Sequence, residues 1–481
     1  MSYIRRHKWD ILIWGLALIF TGLYISLIFN INLSTDEIFT VELMGENMRG
    51  IVEGTAADVH PPLYYFYGAV FDHFSHRNIQ LLKIASIIPF VGLFIYMATV
   101  VRRHFGDAAA FFSLLFFTCV PCTMEYSVQI RMYSSCAVFV GICGVSAYIV
   151  YKENRISDWV IMTLAAVISA YLHYFALVSV GFEMLALLIA LICERKKESV
   201  GPDRIKRWII SVVVMIVSYI PWLPVFIRQF TRVKTGFWIP EFGEHFIWEI
   251  FIWIFDLETY PGFVYLYIAL LVLTGVFGVI WLKKKKSREL TFALACLIVP
   301  IMMTTTGVVI TLVRSPIFVP RYEINIMMLL SLWWGITFAG IVFDEKEKRK
   351  VLRIVATVLA SVMLIFSGVI QYTECYKQEY VGQYTEQTIA FFRKYFTVDD
   401  YVLFNYQDME FVYRYYFPAD KLYYVRDFDL DSDYRYLWFM CTANEWPITE
   451  LDCIEHNLDM RPLGTYGFEG NEFTLYRVEH K

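Results

Sequence analysis

Eleven long apolar runs divide this chain, and most of them are long enough to cross a bilayer. A membrane-spanning helix needs roughly 17–25 mainly apolar residues. The first run, of about 23 residues, is longer than a signal-peptide core, so we expect it to stay as an anchor. The pattern predicts an α-helical polytopic membrane protein with about eleven spans, near 9–31, 79–101, 108–123, 134–151, 159–175, 176–193, 208–227, 263–282, 290–312, 322–343 and 351–371.

Two further apolar stretches lie in predicted loops and have a different pattern. Residues 63–74 and 246–255 repeat apolar side chains at helical spacing, which is typical of helices lying in the membrane interface. After the last run the apolar stretches shorten and alternate between strand-like and helix-like patterns. We therefore predict a membrane domain over 1–371 and a small C-terminal α/β domain over 372–481.

Composition agrees with the membrane assignment and charge adds an orientation. The chain is 58% hydrophobic and only 18% charged, whereas soluble domains carry about 25% charged residues. Roughly 23 basic residues fall in one set of loops and roughly eight in the alternate set. This bias predicts a cytoplasmic N-terminus and an extracytoplasmic C-terminal domain in a cell membrane. Nothing in the pattern indicates a nucleic-acid partner.

The first outer loop carries the acidic residues with the most distinctive positions. Asp36 and Glu37 follow the first span, and adjacent helical residues point about 100° apart. One interpretation is a helix N-cap, because Ser34 precedes the pair and carboxylates favour helix N-termini. The other is a general base that accepts a proton from a hydroxyl nucleophile. The residues alone leave both open.

A stiff turn and several basic residues share the predicted outer side. Asp58 and His60 precede Pro61-Pro62, and a proline restricts the residue before it. Each of these side chains alone has a structural interpretation, such as an arginine reaching toward lipid headgroups. Two arginines at the outer mouths of spans, Arg131 and Arg321, fit the anchoring of a lipid phosphate, because guanidinium binds phosphate through two hydrogen bonds. Lys83 is a candidate for a third positive charge at this site, and Tyr133, His173 and Tyr322 are candidates for contacts with the substrate.

Four motifs in this order resemble the GT-C glycosyltransferases. They are Asp36-Glu37, His60-Pro61-Pro62-Leu63-Tyr64-Tyr65, Arg131-Met132-Tyr133 and Pro320-Arg321-Tyr322. The branch that resembles the chain most contains protein O-mannosyltransferases, the lipid A aminoarabinose transferase and their bacterial relatives. Members of this branch often carry Gln-Glu-Ala before the first arginine. Here that segment is Val128-Gln129-Ile130, so the acid of the motif is missing.

The resemblance implies a reaction and a role for each motif. The donor would be a sugar linked to a polyprenyl phosphate, and the acceptor a hydroxyl group of a lipid, glycan or protein. Asp36 would be the general base with Glu37 as its neighbour, while Arg131 and Arg321, with Lys83, would bind the donor phosphate. Asp58, His60, Tyr133, His173 and Tyr322 would contact substrate. We expect inversion at the sugar, and no metal or cofactor. The alternative is a transporter or flippase of lipid-linked sugars.

Overall fold

The structure, a computed structural model, describes residues 2–29, 33–75, 78–195, 202–232, 239, 242–284, 287–343, 350–377, 384–442, 447–468 and 471–481. The chain forms two compact units. The first contains residues 1–29 and 46–376, and the second contains residues 30–45 and 377–481. The short segment 30–45 therefore belongs with the C-terminal part of the chain, although helices of the first unit precede and follow it in sequence.

The described residues are mainly helical. In chain order the helices are α1 (Ser2–Ser26), α2 (Thr35–Met44), α3 (Met48–Ala57), α4 (Leu63–Ser75), α5 (Ile79–Tyr96), α6 (Arg102–Phe105), α7 (Asp107–Cys119), α8 (Pro121–Glu125), α9 (Tyr133–Glu153), α10 (Ile156–Leu172), α11 (Tyr174–Arg195), α12 (Pro202–Tyr219), α13 (Leu223–Arg232), α14 (Phe246–Phe255), α15 (Val264–Lys284), α16 (Arg288–Val313), α17 (Met327–Val342), α18 (Lys350–Lys377), α19 (Thr385–Tyr395), α20 (Glu410–Tyr416) and α21 (Glu450–Glu455).

Each of the eleven predicted apolar runs forms a helix. Among the described residues, seven helices are long and apolar enough to cross a membrane, and the pair α12 and α13, bent by 69°, would make eight. The remaining three runs form the shorter apolar helices 107–119, 156–172 and 264–280. The multi-pass architecture is confirmed, and the count of eleven stays a prediction. Both predicted loop helices are present, as α4 and α14.

Close helix packing in the first unit depends on small residues. A Cβ added at Gly335 of α17 would clash with the backbone nitrogen of Ser113 in α7. The two helices therefore approach backbone to backbone at this point, which is typical of membrane bundles. Trp334 beside it is wholly buried and stacks on Phe116, with ring centroids 5.1 Å apart. The packing fixes α17, which directly follows the Arg321 motif.

The second unit contains α2, α19, α20, α21 and one five-stranded sheet. The strands, β1 (Tyr401–Phe404), β2 (Leu422–Tyr424), β3 (Leu437–Cys441), β4 (Leu458–Phe468) and β5 (Asn471–His480), lie in the order β2-β1-β3-β5-β4. The first three are parallel and the β3-β5-β4 pairs are antiparallel. The small C-terminal α/β fold is thus confirmed.

The sequence pattern missed one strand of this sheet. Most of the middle of β4 is exposed, and its register shifts between Pro462 and Gly464. A proline and a bulge both interrupt the alternation that marks a strand. One face of the sheet is buried around Leu403, Leu437, Phe439, Leu458 and Val478.

Candidate active site

The turn after α3 pairs an acid with an imidazole. Asp58 Oδ2 and His60 Nδ1 lie 2.8 Å apart, and the side chains are 27% and 10% exposed. Burial raises the pKa of the Asp58 carboxyl, but the charge and hydrogen bond of His60 and the charge of Arg131 lower it more. The net pKa lies below its usual range, so Asp58 is a carboxylate at neutral pH.

His173 lies at the centre of a group of side chains in the first unit. It is the single extended residue between α10 and α11, and it is only 3% exposed. Its ring centroid is 5.5 Å from that of His60, 6.0 Å from that of Tyr133 and 4.7 Å from that of Tyr322. Residues from the turn after α3, from the start of α9 and from the turn before α17 thus meet at one imidazole.

The electrostatic environment of this imidazole includes both candidate arginines. The charges of Arg131 and Arg321 both reach His173. Arg131 is 3% exposed and directly precedes α9, while Arg321 is half-buried in the 3₁₀ turn Pro320–Ile326. A buried guanidinium is costly unless an anion compensates its charge. The structure therefore concentrates positive charge around a mostly desolvated histidine.

The hydrogen bonds of His173 fix its orientation. Its Nδ1 accepts a hydrogen bond of 3.2 Å from the backbone N–H of Phe175 and lies 3.4 Å from Nδ2 of Asn325. Because Nδ1 accepts, a neutral His173 carries its proton on Nε2. Asn325 is wholly buried, and within the described part of the chain its Oδ1 atom makes no hydrogen bond.

Tyr133 contributes a second buried polar atom. Its side chain is 1% exposed, and its hydroxyl makes no hydrogen bond among the described residues. Native proteins hydrogen-bond most of their buried polar atoms, so such an atom needs an explanation. The Tyr133 hydroxyl and Oδ1 of Asn325 lie on residues that both contact His173. They are suited to a polar ligand.

A mostly apolar cavity of about 150 Å³ adjoins His60, His173 and Tyr322. Gln229 of α13 also lines it and connects α13 to the turn that carries Asp58. Gln229 Nε2 donates hydrogen bonds of 2.7 and 2.8 Å to the carbonyls of Thr55 and Asp58, and Tyr174 donates to its side-chain oxygen. Polar groups at one part of an apolar wall are the arrangement that binds amphiphilic molecules.

Lys83 lies near the start of α5 and is 2% exposed. Its sequence-based role as a third phosphate ligand stays a prediction.

Asp36 and Glu37 lie in the second unit, in the first turn of α2. Glu37 Oε2 accepts hydrogen bonds of 2.9 Å from both the backbone N–H and the hydroxyl of Ser34, whose Oγ accepts from the Glu37 N–H at 3.4 Å. This is a capping box, so the N-cap interpretation holds for Glu37. The Asp36 side chain is half-buried and is not part of the cap.

The sequence reasoning missed three residues of the group around His173. Gln229 and Phe175 gave no signal, because a glutamine in a basic amphipathic stretch and a phenylalanine in an apolar run are both unremarkable in sequence. Asn325 was detectable in principle, because it lies four residues after Arg321 in a segment that begins an apolar helix.

Comparisons with known proteins agree with the motifs. The family model described as dolichyl-phosphate-mannose-protein mannosyltransferase matches residues 59–224, about a third of the chain. Crystal structures of ArnT from Cupriavidus metallidurans, one bound to undecaprenyl phosphate and one in the apo state, have a similar fold. Each has a TM-score of 0.61 at 14% identity, and the match covers 98% of both chains. No curated protein matches the sequence significantly. The predicted resemblance to GT-C membrane glycosyltransferases is confirmed.

Proposed function

We propose that the chain is a glycosyltransferase that moves a sugar from a polyprenyl-phosphate-linked donor to a hydroxyl acceptor. The supporting observation is the group around the buried His173, whose ring contacts those of His60, Tyr133 and Tyr322 and is within electrostatic reach of Arg131 and Arg321. The matching family model and the ArnT fold support a transferase over the transporter alternative, because both belong to glycosyl-transferring proteins.

The donor phosphate is the leaving group of this reaction. As the bond between the anomeric carbon and the phosphate oxygen breaks, negative charge develops on that oxygen. Arg131 and Arg321 stabilise this charge, and fixed cations act most strongly where water is scarce. Arg131 is almost wholly buried, which favours this role. The Tyr133 hydroxyl and the Asn325 amide supply hydrogen bonds to sugar hydroxyls.

The acceptor hydroxyl must lose a proton while its oxygen forms the new bond to the anomeric carbon. Asp36 takes this proton as the general base, because the carboxylate of Glu37 already accepts two hydrogen bonds from Ser34. Polyprenyl phosphate leaves on the opposite face of the carbon, so a single displacement inverts the configuration. In this scheme Asp58 orients His60 and does not act as the base.

The distribution of basic residues between the loops supports a reaction on the outer face. We propose that the N-terminus is cytoplasmic and the C-terminal domain extracytoplasmic. Single cysteines at Arg155, in the loop between α9 and α10, and at Leu451, which is 75% exposed in α21, test this orientation. A membrane-impermeant maleimide should label Leu451→Cys in intact cells and Arg155→Cys only after permeabilisation. The reverse pattern would overturn the proposed orientation.

The phosphate role is tested with undecaprenyl phosphate as the probe. Native mass spectrometry of the purified protein in nanodiscs measures its affinity. Arg131→Ala and Arg321→Ala should each weaken binding about 10- to 100-fold, because charge-assisted hydrogen bonds contribute roughly 1.5–3 kcal/mol. Arg49→Ala is the control, since Arg49 is exposed and pairs with Glu53 on the same helix. Unchanged binding in both test variants would reject the phosphate site.

Transfer itself is measured with a panel of synthetic undecaprenyl-phosphate sugars. The release of undecaprenyl phosphate reports use of the donor, and mass analysis of the product reports the acceptor. If the wild type binds undecaprenyl phosphate but releases it from none of these donor sugars, the proposed transfer from such donors is contradicted.

A further inference from the structure

The first turn of α2 carries the proposed base, and α2 is part of the second unit. Residues 30–45 form a compact body with residues 377–481. Within that body α2 packs against α20, a helix more than 360 residues later in the chain. Ile38 and Val41 of α2 are wholly buried. The position of α2 therefore depends on the C-terminal segment as well as on its neighbours in sequence.

The start of α2 is fixed by the capping box. Ser34 and Glu37 satisfy each other's backbone N–H groups, and the carbonyl of Ser34 accepts the first helical hydrogen bond from Ile38 at 3.0 Å. Asp36 lies between these two residues. Thr40 Oγ1 adds a hydrogen bond of 2.8 Å to the carbonyl of Asp36. The direction of the Asp36 side chain is thus set by a turn whose geometry Glu37 maintains.

We propose that Glu37 is a positioning residue for Asp36, and that the C-terminal domain is the body that carries both. This inference rests on the proposed function, because it takes Asp36 as the base. It assigns the C-terminal domain a part in catalysis, as the body that holds the helix with the proposed base.

The first test compares two substitutions of Glu37. Glutamine retains the oxygen that accepts from Ser34 and is accepted in capping boxes, whereas alanine removes it. Glu37→Gln should keep kcat within about threefold of wild type, and its pH profile should not change. Glu37→Ala should lower kcat on the order of 10- to 100-fold, because small misplacement of a reacting group is costly. Equal losses in both variants would overturn the positioning role, since a base fails equally in both.

A double-mutant cycle with Ser34 adds a second criterion. Ser34→Ala and Glu37→Ala remove the same reciprocal cap, so the double variant should lose no more kcat than the worse single variant. Fold losses that multiply would show that Glu37 acts independently of the cap and would contradict the proposal.

The role of the C-terminal domain is tested without any measurement of activity. Asp400 is wholly buried and accepts hydrogen bonds from Arg435 and Trp438, so Asp400→Ala destabilises the second unit. Hydrogen exchange should then show lower protection of α2 together with α20. Protection of α3, which begins four residues after α2, should stay unchanged. Unchanged protection of α2 would overturn this part of the inference.

The outcome for Asp36 separates this inference from the proposed function. If Asp36→Asn turns over near the wild-type rate, the proposed base is wrong, whatever the Glu37 variants do. If Asp36→Asn is inactive but Glu37→Gln is inactive as well, the function stands and the positioning role fails.

Discussion

Glu37 and Asp58 both belong to the first predicted outer loop, yet they have different partners. Glu37 accepts hydrogen bonds from Ser34 in its own helical turn, within the second unit. Asp58 pairs with His60 and experiences the charge of Arg131, within the first unit. The role of an acidic residue beside a candidate site therefore depends on the groups that the fold brings close to it.

Glu37 and Asp58 also have different kinds of electrostatic environment. The cap around Glu37 is local, because it uses backbone groups and a hydroxyl within four residues. The environment of Asp58 is non-local, because it includes His60 in the turn after α3 and the charge of Arg131 at the start of α9, and the neighbouring His173 is reached by Arg321 from the turn before α17 as well. The local cap stabilises a helix start, whereas the non-local charges surround the site at which we propose that the phosphate binds.

Asp36→Asn should produce the largest effect on transfer. Loss of a general base lowers kcat by about 10²–10⁴-fold, while the binding of undecaprenyl phosphate should stay near wild type. The measurement combines kcat with native mass spectrometry. Glu46→Gln is the matched control, since Glu46 is exposed and follows α2 directly. Comparable losses from both variants would indicate a general effect of charge near α2.

The pairing of Asp400 should give the largest effect on stability. Arg435 donates hydrogen bonds of 2.9 and 2.7 Å to its two oxygens, and Trp438 donates one of 3.1 Å. Asp400→Asn should lower the stability of the C-terminal domain by about 2 kcal/mol, which is modest because Arg435 is 42% exposed. Thermal unfolding of the purified full-length protein measures this loss, and Asp433→Asn at an exposed site serves as the control.

The same residue gives a pH dependence with a defined sign. Burial raises the pKa of the Asp400 carboxyl. Hydrogen bonds from Arg435, Trp438 and the backbone of Thr397 lower this pKa by more than burial raises it, so the net pKa lies below the usual range. The folded state therefore favours the carboxylate. Its contribution to stability is fully present above the unfolded pKa of about 3.9 and is lost as the pH falls through the folded value. A pH dependence that Asp400→Asn leaves unaltered in this range would contradict the assignment.

Asp58→Asn should have a smaller effect on transfer than Asp36→Asn. Asparagine retains an oxygen that can accept from His60 but loses the charge that His60 and Arg131 experience. We expect kcat/KM to fall about tenfold, corresponding to roughly 1.4 kcal/mol. If Asp58→Asn is as inactive as a base variant and Asp36→Asn is active, the roles of the two acids must be exchanged.

Gln229→Leu should have the smallest effect of the series. It removes the donor to the carbonyls of Thr55 and Asp58, and an unsatisfied buried group costs about 1–3 kcal/mol. We expect a fall in the thermal stability of the bundle and a weaker orientation of the Asp58 turn, seen as a modest fall in kcat/KM. Thr231→Val is the control, because Thr231 is on the same helix and donates to the carbonyls of Ile227 and Arg228 within it. Equal changes in both variants would remove the specific role of Gln229.

Much of the fold could be predicted because hydrophobic periodicity is a local signal. The eleven apolar runs and both predicted loop helices appear as helices, since their apolar side chains repeat within each segment. Strand β4 could not be predicted, because its middle is exposed and Pro462 and the bulge interrupt its pattern. Its place in the sheet follows from pairing with β5, which comes after it in sequence.

The sequence by itself determined the candidates for the chemistry, because motif order and residue type already pointed to Asp36, His60, Arg131 and Arg321. Only the tertiary structure decided which residues surround these candidates. It brought Arg131, Arg321 and His60 to act on His173, joined Asn325 and Gln229 to the residues around it, and placed α2 in one body with residues 377–481. The physical reason is the sequence separation over which each interaction acts. Hydrophobic periodicity and helix capping depend on residues a few positions apart, whereas burial and the charges around a side chain depend on segments that are distant in the chain.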